Sequence, residues 1–92
     1  MDACIYKVIA VHETKKGVVL ELRAHQQYFK PKLKRGEGIL IDDYDGHKVT
    51  TRIKALVMMD EPHPRCDVGV LLPPDIKVDQ VMVDSDVWTV GE

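Results

Sequence analysis

Asparagine is absent from this 92-residue sequence, and serine occurs once, at Ser85. Without asparagine, the chain offers no acceptor for N-linked glycosylation. Ser85 stands between Asp84 and Asp86, whose carboxylates would oppose the negative charge that develops on a serine nucleophile. The sequence therefore argues against a serine hydrolase.

Cysteine is scarce as well, with Cys4 and Cys66 as its only occurrences. The N-terminus has no basic region of a secretory signal, so we expect both thiols to be reduced. His63 and Cys66 have the spacing of half a zinc site, but no second pair accompanies them. A thiol nucleophile at Cys66 would need His63 as its base and Arg65 to lower its pKa. We interpret the two residues as a loop histidine and a cysteine at the start of a strand, and predict no metal, no cofactor and no enzymatic activity.

Long apolar runs and helical periodicity are also missing. No run approaches the roughly 20 apolar residues of a membrane-spanning helix, and Pro31 interrupts the nearest helical pattern. No GxxxxGK[ST] motif occurs, so the chain has no P-loop for a nucleotide. We therefore predict a cytoplasmic protein with no membrane partner.

Short alternating, β-branched segments dominate what remains, and Asp45-Gly46 is a strong hairpin signal in which both residues favour positive φ. Residues 73–79 have room for one helical turn. The spacing of the alternating segments predicts a single all-β domain over residues 1–92, a small closed or partly open antiparallel β-barrel of six to seven strands. The predicted strands are 4–11, 17–24, 36–43, 47–60, 67–73, 80–83 and 86–90.

Individual strands carry finer expectations. In 17–24, alternation places Val18, Leu20 and Leu22 on a buried face and Val19, Glu21 and Arg23 on the opposite one. Gly69 lies within a nearly all-apolar strand, where we expect a Cβ to collide with a neighbour. Strands 80–83 and 86–90 are bordered by acids typical of guarded sheet edges, namely Asp79, Asp84 and Asp86.

Charge is distributed unevenly although the net charge is only −2. Residues 60–92 carry eight acids and two bases, whereas residues 22–36 carry five bases and no acid. This basic segment, 23–35, includes an insertion loop at about 24–35 and is the candidate site. Its predicted binding residues are Arg23, Tyr28, Phe29, Lys30, Lys32, Lys34 and Arg35.

Three interpretations of the basic segment stay open. The lysines alternate and the two aromatic rings could stack bases, as single-stranded RNA binding requires. An acidic protein surface is a second partner class, and a solvated loop without a partner is the third. The isoelectric point of about 6.1 lies below the values above 9 that are usual for nonspecific nucleic-acid domains.

Several motifs follow one another in an informative order, beginning with "GVVLEL" (17–22) and "LKRGEGILI" (33–41). These two segments resemble the "GTVVTGRV" and "IKxGDxVEI" steps in domain two of translational GTPases of the elongation factor Tu type. The stretch from His47 to Pro73 is similar to the part of the family's sequence that follows, which has a long strand, a broken connection and then a strand that opens "NVG". "PDIKVDQVMV" (74–83) is similar to "EDIERGQVL", although Asp79 replaces the family's glycine.

This resemblance covers about residues 4–83 and implies an antiparallel β-barrel that binds RNA or partner domains and performs no chemistry. We therefore predict a non-catalytic binding module that contacts RNA or a partner protein through residues 23–35. The alternative is a structural homo-oligomeric β-barrel protein without a nucleic-acid role, in which the basic and acidic segments pair between subunits.

Overall fold

One antiparallel sheet carries the fold. The computed structural model describes residues 3–24, 33–43 and 45–90, and its strands are β1 (Ala3–Thr14), β2 (Gly17–Ala24), β3 (Gly38–Asp42), β4 (Lys48–Arg52), β5 (Ala55–Val57), β6 (Val68–Leu71) and β7 (Asp86–Thr89). A 3₁₀ turn spans Val78–Gln80, near the helical turn expected in 73–79. The sheet order is β4-β3-β7-β1-β2-β6-β5, and every neighbouring pair is antiparallel. The all-β class is confirmed.

The long strand predicted over 47–60 is wrong as a single strand, because it divides where it changes partner. The Ile53 amide donates to the Glu37 carbonyl beside β3 (2.9 Å), and the next amide, Lys54, donates to the Leu71 carbonyl of β6 (2.8 Å). Two consecutive residues thus bond to opposite ends of the sheet order. No ladder joins β4 to β5 within the described part of the chain, so the sheet is not closed by strand pairing.

Two other strand predictions also fail. Residues 80–83 form no strand, because Val81 turns into the core while Asp84 adopts a turn conformation with φ of 76°. β7 lies between β3 and β1, so its acids do not guard an edge. The edge strands of the described sheet are β4 and β5.

The hairpin between β3 and β4 forms where Asp45-Gly46 predicts it, but with a different turn. Gly46 has φ of 90°, whereas Asp45 is not among the described residues with positive φ. The Asp43 carboxylate organises the turn instead, accepting hydrogen bonds from the amides of Asp45 (2.9 Å) and His47 (3.2 Å). These amide donors, the first above all, hold the pKa of Asp43 below its usual value.

The core lies on one face of the sheet and contains the predicted apolar face of β2. Val8, Leu20, Leu22, Ile39 and Val87 are fully buried or nearly so. Leu33, at the end of the basic segment, is also buried in this cluster. The crowding predicted at Gly69 is confirmed, since an added Cβ would collide with the backbone carbonyl oxygen of Val57.

The opposite face of β2 is covered as well, which the alternation pattern does not predict. Every residue from Val18 to Leu22 is buried, and Glu21 is only 1% exposed.

Among the described residues, no helix is long and apolar enough to span a bilayer.

Candidate functional site

The basic segment leaves the sheet and returns to it at two anchored points. At the end of β2, the Ala24 amide donates to the Asp67 carboxylate (2.7 Å). On the return, Leu33 is buried, and the Lys34 amide donates to the Glu37 carboxylate (2.9 Å). These contacts fix where the segment begins and ends.

Of the seven predicted binding residues, Arg23, Lys34 and Arg35 are described, and all three side chains are exposed. In the described part of the chain, none of these three side chains has an ion-pair or hydrogen-bond partner. Tyr28, Phe29, Lys30 and Lys32 lie outside the described residues. The structure therefore positions three cations at the two ends of the segment.

A buried carboxylate, Glu21, is the polar centre that the sequence does not predict. Its Oε1 lies 3.0 Å from Nε2 of His12 on β1, and its Oε2 accepts the His63 amide at 2.7 Å. The His12 side chain is 35% exposed, so the pair joins the interior to the surface. A carboxylate only accepts hydrogen bonds, so Nε2 of His12 is the donor of this contact.

The loop over residues 58–67 is folded around this carboxylate. The Arg65 amide donates to Nδ1 of His63 (3.1 Å), and the Cys66 amide donates to the His63 carbonyl (2.9 Å). The loop returns to the sheet where the Asp67 amide donates to the Leu22 carbonyl (2.8 Å). Because both Glu21 oxygens already accept protein hydrogen bonds, the carboxylate serves to hold the loop on the outer face of β2.

Cys66 is a free, half-buried thiol beside this centre. Burial, and then the negative charge of Glu21, raise the pKa of Cys66 above its usual value. This direction is opposite to the lowered pKa that a thiol nucleophile beside Arg65 would need, because the thiolate is the reactive form.

This raised pKa predicts slow alkylation. In a Cys4→Ser background, we expect iodoacetamide to modify Cys66 more slowly at pH 8 than it modifies an unfolded peptide of residues 60–70. The rate should also keep rising to higher pH than for the peptide, because the thiolate forms later in the folded protein. A folded-state rate that equals or exceeds the peptide rate would contradict the burial of this thiol.

Ser85 and the metal-binding residue types are the remaining groups that could carry chemistry. Ser85 is 1% exposed, and within the described residues its Oγ has no hydrogen-bond partner. The described ranges contain no cluster of three or more metal-ligating side chains.

Two open grooves flank Asp79, one of about 550 Å³ beside the β1–β2 turn and one of about 430 Å³ beside the β3–β4 hairpin.

Comparison with known proteins gives this chain no relative, since no protein-family model, curated protein or solved structure matches it.

Proposed function

We propose that this chain is a non-catalytic binding module, a partly open β-barrel of the type that forms domain two of translational GTPases. The connection between β4 and β5 supports this proposal, because Ile53 and Lys54 bond to opposite ends of the strand order. A sheet whose two edge strands are separated by two residues must curve strongly. The predominantly apolar inner face is the core that such a barrel encloses.

We propose further that the module binds an anionic partner, RNA or an acidic protein surface, through residues 23–35. The observation that carries this is the state of Arg23, Lys34 and Arg35, three exposed cations without a partner in the described structure. They stand at the fixed ends of a segment that adds Lys30 and Lys32 between them. Ala24 and Lys34 are each anchored by a backbone amide, which limits the ordering entropy lost when the segment binds an extended anion.

Removal of this charge tests the proposal. Replacing Lys30, Lys32, Lys34 and Arg35 together with Gln should weaken binding of a single-stranded 12-nucleotide RNA. Each phosphate contact contributes roughly −0.7 to the slope of log K against log salt, so the parent slope should be about −2 to −3 and the variant slope near zero. Fluorescence anisotropy from low to physiological salt measures both quantities.

A matched control removes the same charge elsewhere, from three exposed lysines and one exposed arginine, Lys15, Lys16, Lys77 and Arg65. That variant should retain the parent slope, and both variants should melt close to the parent because exposed charges contribute little to stability. A poly-glutamate peptide measured in parallel separates RNA from an acidic protein partner. If neither probe binds the parent at low salt, the segment is a solvated loop.

A further inference from the structure

Within residues 3–24, 33–43 and 45–90, no strand pairs with the outer edge of β4, and the backbone groups of that edge recur at a defined spacing. In the β3–β4 ladder, the Ile53 amide bonds to Glu37 at one end and the Asp43 amide to His47 at the other. Bonded pairs recur at every second residue of an antiparallel ladder. Within this register, Val49 and Thr51 therefore bond to β3, while the amides and carbonyls of Lys48, Thr50 and Arg52 point away from it.

The outer side of this edge is basic. Lys48, Thr50 and Arg52 are exposed, as is Lys54 just beyond the strand. No ion pair involves any of these three cations in the described structure. In the β3–β4 ladder, Lys48 lies opposite the acid Asp42, whereas Arg52 lies opposite Gly38. The positive charge of Arg52 therefore has no acid opposite it on β3.

A groove of about 430 Å³ lies beside the first half of the edge. Its walls are formed partly by Lys48 and Val49, and partly by Gln80 and Met82. Met82 is 53% exposed and adds apolar surface to this groove, which Asp43 and Asp79 also line. A strand added to the β4 edge would find backbone partners along its length and the cations Lys48 and Arg52 beside its own side chains.

We propose that β4 is a docking edge for an extended acidic segment of a partner protein, which adds to the sheet as an antiparallel strand. Acidic residues of that segment lie opposite Lys48, Thr50 and Arg52, and alternate residues are apolar. The proposal uses none of residues 23–35 and does not depend on their role, although the Gly36 amide donates to the Ile53 carbonyl and brings the end of that segment beside β4. A second copy of β4 fits poorly, because antiparallel pairing centred on Thr50 would set Lys48 of each copy against Arg52 of the other.

Position 50 allows a selective test. Since the Thr50 amide points to the open edge, Thr50→Pro removes a donor from that edge without removing a bond to β3. The probe is fluorescein-labelled Glu-Val-Glu-Val-Glu-Val-Glu, capped at both ends. We expect Thr50→Pro and Lys48→Glu/Arg52→Glu each to weaken its binding at least tenfold. The four-Gln variant in residues 30–35 should retain most of the affinity, which separates this edge from the basic segment.

A pair of isomeric peptides keeps the test decisive even if Thr50→Pro unfolds the domain. In the antiparallel arrangement, the glutamate amides of the probe face β4 and the valine amides face solvent. N-methylation of the glutamates should therefore abolish binding, whereas N-methylation of the valines should leave it within about threefold. Equal affinity for the two isomers would overturn the strand-addition proposal, and so would binding that only the four-Gln variant loses. Self-association that the double Glu variant changes would instead indicate a second copy as the occupant.

Discussion

Gly69→Ala should be among the most destabilising single substitutions in this protein. Its new Cβ would collide with the Val57 carbonyl oxygen, a backbone atom of the paired strand β5, so β5 and β6 would have to separate. Overpacking of this kind costs roughly 1–3 kcal/mol, and a rigid backbone neighbour places the expected loss near about 3 kcal/mol. For a domain of this size, that corresponds to roughly 12–24 °C in melting temperature. Chemical and thermal denaturation measure the effect.

The matched control is Gly38→Ala, the same chemical change in another strand of the same sheet. A Cβ at Gly38 would meet the Val90 Cβ at 3.9 Å, an ordinary contact, and no positive φ is involved. We expect this variant to melt within a few degrees of the parent. If Gly69→Ala were as mild as Gly38→Ala, the pairing of β5 with β6 would be incorrect.

Glu21→Ala should give the second large effect, with a loss of about 1–3 kcal/mol. The substitution leaves the His63 amide without the acceptor that it has in the interior, and it also deletes the partner of His12. Removing the anion additionally leaves space beneath the loop over residues 58–67. The damage should therefore be largest in that loop.

Hydrogen exchange and denaturation together distinguish this role from general destabilisation. The His63 amide should lose protection by a larger factor than the amides of the β1–β7 ladder. Glu21→Gln, which retains a carbonyl acceptor, should recover most of the protection. The control Glu13→Ala removes an exposed acid from the neighbouring strand and should stay within about 0.5 kcal/mol of the parent. Uniform loss of protection across all strands would argue against Glu21 as the anchor of the loop.

Local patterns predict most of the strands, because alternation and turn residues are properties of short segments. β2 begins at Gly17 and ends at Ala24, as its pattern predicts, and the Asp45-Gly46 signal correctly gives a hairpin. The division at Ile53–Lys54 is not predictable in the same way, since no glycine or proline occurs there. It arises because the chain leaves one partner strand and meets another, which is a property of the assembled sheet.

The outer face of β2 illustrates the same limit for the candidate site. Glu21 occupies a position that alternation assigns to solvent, yet it is buried and accepts the His63 amide of the loop over residues 58–67. Val81 shows the opposite case. Its segment has the pattern of a strand but forms none, and the Val81 side chain is nevertheless buried in the core. Both outcomes depend on contacts between residues far apart in the sequence. For the basic segment, Lys34 and Arg35 are exposed, whereas residues 25–32 lie outside the described part of the chain, so the predicted binding role of these residues stays a prediction.

The position of β7 also governs how the protein can be made. The β3–β4 hairpin joins the other strands of the described sheet only through β7, which pairs with β3 on one side and β1 on the other. At a synthesis rate of about 5–20 residues per second, β7 follows β3 by roughly 2–9 s. During that interval β1 and β3 each present an unpaired edge on the ribosome, a period when strand exchange with another nascent chain competes with folding. Sheet assembly then ends with a non-local step that pairs Ala3 with Thr89, so folding should be slow for a domain of this size.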